Sequence, residues 1–147
     1  MSQTYEQAFP VRWADLDPNR HLRHTAFNDY ATHVRFSCLA ERGFGAERFE
    51  AANVGPVIFR EETRYRREVA MGETITIDFR VAGLSANGRK YRLTHRVLRA
   101  DGELAATVTV EGAWLDLTTR RIRRPPPALL AALRSIARSE DFEELGS

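Results

Sequence analysis

Between residues 75 and 114 apolar and polar positions alternate with few interruptions. Ile75, Ile77, Phe79 and Val81 share one face of "ETITIDFRVAGL". Tyr91, Leu93, His95 and Val97 share one face of "RKYRLTHRVLRA". Ala106, Val108, Val110, Gly112 and Trp114 line one face of "ELAATVTVEGAWLDL". A period of two is that of a strand with one buried face. The breaks fall at "SANG" (85–88), whose Asn-Gly pair favours a tight hairpin, and at "DG" (101–102). Upstream, "PVIFREETRYRREV", bracketed by Pro56 and Gly72, reads as a further strand, and "YEQAFPVRW" (5–13) as a short one.

One segment has another period. In "TAFNDYATHVRFSCLAERGF" the residues Phe27, Tyr30, Ala31, Val34 and Cys38 recur at i, i+3, i+4, i+7 and i+11, a single helical face. Phe36 and Leu39 widen that face, so the helix is expected to be buried on most sides. Thr25 is the expected N-cap and Gly43 the expected stop. A helix over 25–41 is about 25 Å long at ~1.5 Å per residue, enough to lie across a sheet of eight-residue strands. Residues 43–56 read as a loop with one short helical turn. "TTRRIRRPPP" leaves the sheet, "PALLAALRSIARS" is a short amphipathic helix with Pro near its start, and "EDFEELGS" is an acidic, frayed tail. A strand, one long helix, then four strands joined mostly by tight turns imply an antiparallel five-stranded sheet with a helix across it, an α+β architecture. Without repeats or linkers, residues 1–147 form one domain.

Composition narrows the classes. The 147 residues are 43% hydrophobic and 29% charged, which excludes bulk disorder. No apolar run approaches the roughly 20 residues that span a bilayer, so no membrane is expected. "MSQTYEQAFP" does not read as a secretory signal. Cys38 is the single Cys, so no intrachain disulfide forms, and its helical position reads as a small core residue. The expected location is the cytoplasm. The net charge is +2, and Lys90 is the only Lys among 22 basic residues. No block of five or six basic residues occurs, so no nucleic-acid partner is expected.

The chemistry concentrates in "WADLDPNRHLRH", Trp13 to His24, just ahead of the helix. Asp15, Asp17 and Asn19 have the spacing that opens a calcium loop, but the sixth position is Arg20 instead of Gly and the twelfth is Ala26 instead of Glu. His21 and His24 lack a Cys or a second His pair to complete a metal set with Asp17, so no metal is expected. No G-x-S-x-G and no Gly-rich phosphate loop occurs. An acid/base reading remains. A carboxylate close to free helix-start N–H groups suits acyl transfer: the carboxylate attacks a carbonyl or activates water, and the amides hold the oxyanion. Asp17 has that position.

These residues also carry a resemblance. "VRWADLDPNRHLRHTAFNDY" resembles the D-x-D-x-x-x-H-[LV]-x-[HN]-x-x-[FY] signature of hotdog-fold acyl-CoA thioesterases of the 4-hydroxybenzoyl-CoA thioesterase type. "YRREVAMGETITI" resembles that family's Y-x-x-P-hydrophobic-x-x-G-D strand pair, with Glu68 where Pro is common and Glu73 where Asp is common. "EGAWLDLTTRRIRRPPPAL" resembles its last strand and exit. The match runs from about residue 8 to 130. It implies a hotdog fold, an antiparallel sheet wrapped around one long helix, and hydrolysis of an acyl-CoA thioester without a cofactor. It makes Asp17 the catalytic carboxylate, as nucleophile or general base, and His24 the residue at the helix entrance whose backbone N–H polarises the thioester carbonyl. His21 matches a common His whose role varies among members, and substrate contact is the role expected for it here. Trp13 stands where many members have a Tyr that orients the acid. Arg89 and Lys90 in "NGRK" resemble a basic loop that meets the CoA phosphates. Glu61, Glu62 and Thr63 would line the cleft from a neighbouring subunit. The resemblance also implies a homodimer, or a homotetramer built from it, with sites at the subunit boundary.

Each residue has a structural reading too. Asp15 caps a turn or pairs with a nearby Arg. Asp17 makes an Asx-turn ahead of Asn19, since Asp-Pro favours turns. His21 divides evenly between a structural hydrogen bond and substrate contact, while His33 and His95 read as structural. Two rival functions remain: a hydratase on the same fold, which needs a His paired with a carboxylate at a spacing His21 does not have, and an acyl-CoA binder without turnover.

Overall fold

The computed structural model describes residues 4–147. Five antiparallel strands are ordered β1-β3-β4-β5-β2: β1 (Tyr5–Pro10), β2 (Val54–Tyr65), β3 (Thr74–Ser85), β4 (Lys90–Leu98) and β5 (Leu104–Asp116). The alternation read from the sequence is the one that packs. Ile75, Ile77, Phe79, Leu93, Val97, Val108, Val110 and Trp114 are all buried. Gly88 and Gly102 turn the two hairpins with φ of 75° and 86°, a backbone region that favours glycine. Gly112 is required for another reason. A Cβ there would overlap the Val57 carbonyl oxygen on the neighbouring strand and the Tyr91 phenol.

Helix α1 (His24–Glu41) lies across the sheet, mainly on β3 and β5, and buries Phe27, Ala31, Val34, Cys38 and Leu39. Burial pushes the Cys38 thiol up to about 11, as suits a core residue. Three expectations for this region change. Thr25 is not the N-cap: Arg23 holds that place with extended backbone, and its Nε donates to Thr25 Oγ1 at 2.9 Å. The helix is not buried on most sides, because His24, Asp29, His33, Phe36 and Glu41 are exposed. Phe36 leaves the core face to meet Phe49 of α2 (Ala46–Ala52), a two-turn helix where one short turn is expected. Arg35 is buried in the core face instead.

The C-terminal part departs most. Helix α3 (Pro127–Ser135) has Pro near its start, as its sequence suggests. Before it, β6 (Ile122–Arg123) still pairs with β5, so the exit stretch has not fully left the sheet. The acidic tail is not frayed. It forms β7 (Arg138–Leu145), parallel to β3. The reason lies in strand lengths. β1 covers β3 only from Thr74 to Phe79, so the edge of β3 beyond it lacks a partner, and the tail supplies one at Val81 to Ser85. Glu143 meets Arg92, and Arg138 stacks over Phe142, so two of the tail's charged residues have partners that hold it on the sheet.

Candidate active site

The loop between β1 and α1 is built around Asp15, not Asp17. Asp15 is 4% exposed and accepts from Arg12 Nε at 2.8 Å, Tyr30 Oη at 2.5 Å and Arg23 Nη1 at 3.2 Å. The Arg12 guanidinium and the Tyr30 phenol hold its carboxyl well below the usual carboxylate range. These bonds tie the loop, the N-cap residue Arg23 and the second turn of α1 to one buried anion. Asp15 therefore does what the structural reading assigns it, pairing with nearby Arg side chains.

Asp17 sits on a tight turn. Its Oδ1 accepts the backbone N–H groups of Asn19 at 2.8 Å and His21 at 3.1 Å, and its own N–H donates to the His21 carbonyl at 2.8 Å. Arg20 completes the turn with φ of 66°. The Asx-turn is real, and it leaves Oδ2 without a protein donor among the described residues. One oxygen is therefore locked and the other is free for chemistry. At the helix start, the N–H groups of His24 and Thr25 have no acceptor among the described residues, as expected of the first turn of a helix.

Asp17, His21 and His24 line one cavity of about 350 Å³ together with Phe27, Tyr65, Arg66, Arg67 and Glu68. Tyr65 donates to the His24 carbonyl at 3.0 Å, which pins the end of β2 to the helix entrance. His21 Nε2 lies 3.1 Å from Glu68 Oε2. The sequence alone does not reveal this pair, because the partners are 47 residues apart and meet only through the bridge of His21 to Ala70. The presence of Glu where relatives have Pro was its one signal. Arg66 and Arg67 carry no signal in the sequence beyond their doublet in "YRREV". Both now edge the cavity.

The remaining candidates lie elsewhere in the chain. Trp13 is 78% exposed on a single 3-10 turn and does not line the cavity. The phenol near the loop comes from Tyr30 and goes to Asp15. Arg89 and Lys90 sit at the β3–β4 hairpin, where Arg89 donates to the Ile122 carbonyl and Lys90 to that of Ser147. Glu62 is taken up by Arg60 and Arg64 on β2. No group of three His, Cys, Asp or Glu able to hold a metal ion occurs among the described residues. No helix among them is long and apolar enough to cross a membrane.

Residues 11–133 match the sequence profile of the thioesterase-like superfamily. The chain belongs to that superfamily. Its α+β architecture is the hotdog fold of these thioester hydrolases, as the solved structures show. A Staphylococcus aureus protein solved in complex with CoA superposes with a TM-score of 0.86 at 18% identity, over 100% of this chain and 90% of that one. A DHNA-CoA thioesterase from S. aureus superposes at 0.80 and 16% identity, over 89% of each chain. Among characterised relatives, the L-carnitine dehydrogenase/betainyl-CoA thioesterase of Agrobacterium fabrum is 26% identical over 126 residues. That match covers 86% of this chain but only 25% of the relative's length.

Proposed function

We propose that the protein hydrolyses an acyl-CoA thioester to the free acid and CoA, with Asp17 as the reacting carboxylate. The observation that carries this reading is that Asp17 and the helix start at His24 line one cavity, with Oδ2 of the one and the amides of the other left without partners among the described residues. As a general base, Oδ2 takes a proton from water while the water oxygen bonds to the thioester carbon. The negative charge moves to the carbonyl oxygen, which the N–H groups of His24 and Thr25 receive at the positive end of α1. Collapse breaks the C–S bond, and the departing thiolate recovers the proton. As a nucleophile, Oδ2 bonds to the thioester carbon, the C–S bond breaks to release CoA as its thiolate, and water then cleaves the mixed anhydride to the free acid and the Asp17 carboxylate. His21, in contact with Glu68, offers a second acceptor for the proton of water.

Arg66 and Arg67 at the cavity rim suit the CoA phosphates. We further propose a homodimer. Among the described residues β2 pairs on one side only, with β5, and it carries Ile58 and Phe59, 44% and 59% exposed. A two-fold axis near the middle of β2 continues the sheet into a second copy. It would carry the partner's Arg89 and Lys90 toward the cleft.

The deciding experiment is release of CoA from a panel of acyl-CoA thioesters by the native protein and by Asp17→Asn. Turnover that falls about 10²–10⁴-fold in the variant supports the mechanism. Equal turnover removes Asp17 from it. Tight binding of acyl-CoA with no turnover in the native protein points instead to a binding module.

A further inference from the structure

A second cavity of about 110 Å³ lies between α1 and the sheet, apart from Asp17. Its wall is mostly apolar, with Leu39, Ile58, Leu93 and Val110, but Arg35 and Trp114 also line it. Arg35 is 5% exposed. Its Nη1 donates to His95 Nε2 at 3.1 Å and its Nη2 to Thr32 Oγ1 at 2.9 Å. A guanidinium has five N–H groups, so these bonds leave most of its donors unused. Among the described residues no carboxylate stands within ion-pair distance of it.

Of the neighbouring titratable groups only Glu61 bears a negative charge toward Arg35, and it stands beyond ion-pair distance. His95 Nδ1 donates to the Asp78 carbonyl at 2.8 Å, which leaves Nε2 as the acceptor for Arg35. Burial, reinforced by the Arg35 charge, lowers its pKa to about 3, so the ring is neutral. Tyr91 donates to the Val57 carbonyl at 3.1 Å, and burial pushes its phenol up to about 12. Trp114 adds a second orphan: the residue is 1% exposed and its indole N–H has no acceptor among the described residues. A buried cation without a direct ion-pair partner and a buried N–H without an acceptor each destabilise a fold. Donors of this kind around an apolar hollow are matched by a ligand that brings acceptors and negative charge.

We propose that this cavity is the subsite for the far end of the acyl group and that the end it takes is a carboxylate, so that the preferred substrates are CoA thioesters of dicarboxylic acids. The inference rests on the thioesterase and dimer readings above. A water-sized group occupies ~30 Å³, so the cavity has room for roughly three or four such groups, a carboxylate and the methylene beside it. The apolar wall packs the methylene, and Arg35 with Trp114 receives the oxygens. A trimethylammonium end meets only repulsion there, so the substrate differs in charge from the betainyl group in the Agrobacterium relative's name. Within one protomer, His24 and Arg35 are separated by about 16 Å of helix at ~1.5 Å per residue. A two-fold axis near the middle of β2 sets Tyr65, beside Asp17, against the Val54 end of the partner's strand. Pro56 and Ile58 near that end line the Arg35 cavity, so in the proposed dimer this cavity lies on the side of the partner's strand that faces the Tyr65 end beside Asp17.

The test is hydrolysis of CoA thioesters of dicarboxylic acids from four to ten carbons, each beside its methyl-ended counterpart of equal length, with betainyl-CoA included. For the best chain length, kcat/KM of the carboxyl-ended thioester should exceed that of the methyl-ended one at least tenfold. Arg35→Met should bring that ratio close to one. A native preference for methyl-ended or trimethylammonium acyl groups overturns the proposal, and so does an unchanged ratio in Arg35→Met. Should the variant not fold, the native ratio decides alone. Thermal unfolding with free adipate or suberate, against hexanoate or octanoate, separates the two readings. A rise in Tm with the diacids alone, without hydrolysis of any thioester, retires the thioesterase reading and keeps the subsite. No hydrolysis and no rise retires both.

Discussion

Two aspartates two residues apart have opposite fates, and the difference is one of partners. Asp15 is buried and spends both oxygens on Arg12, Arg23 and Tyr30, whereas Asp17 keeps one oxygen free beside a cavity. Asp15 is therefore a brace, and its removal should be read as stability. Because its folded-state pKa lies below the unfolded value of about 3.9, its contribution is present above that pH and is lost as pH falls toward the folded value. Asp15→Asn should destabilise the protein by about 1–3 kcal/mol at neutral pH and flatten the acid limb of its stability curve below about pH 4. Urea unfolding at a series of pH values measures both. Asp17→Asn should leave that curve in place and lose turnover instead. The sequence already presents Asp17, Asn19 and His24 as a turn at a helix mouth, since short-range spacing encodes it. It does not present Glu68 beside His21, because that contact depends on the chain returning through β2.

Among the elements, α1 and β7 are the informative ones. The face of α1 is legible from its period, yet Arg35 and Phe36 trade places against expectation: the charged residue is buried and the aromatic half leaves the core. A helical wheel ranks residues by polarity and has no knowledge of the cavity or of Phe49. For β7, composition misleads. Six acidic or polar residues hide a strand whose anchors are Phe142 and Leu145, and Leu145 comes so close to Gly83 that a Cβ there would meet it at 2.9 Å. Leu145→Asp should cost about 1–2 kcal/mol and speed amide exchange at Val81 to Ser85, while β1 and its partners on β3 stay protected. Hydrogen exchange read residue by residue tests this, and uniform exchange across β3 would mean that the tail adds nothing to that edge.

For the whole molecule, the edge of β2 sets the expectation. A strand of 12 residues with Ile58 and Phe59 exposed, beside a cavity that already holds Asp17, is covered by a second copy in the homodimer proposed here. Light scattering at micromolar concentration should give at least twice the monomer mass of 16.7 kDa. Phe59→Lys should shift the protein toward the monomer and lower turnover with it, if the site draws on both subunits. A monomeric native protein with full activity would refute this.

What the sequence determined by itself is local: the period of each strand, the period of α1, the hairpin turns, and the Asp17 loop at a helix entrance. Each follows from backbone geometry over a few residues, and side-chain polarity reports it directly. What only the tertiary structure decided is which distant groups meet: Glu68 with His21, the tail with β3, and Arg35 with Trp114 around one small cavity. Those meetings depend on strand lengths and on how α1 seats on the sheet, which no window of the chain contains.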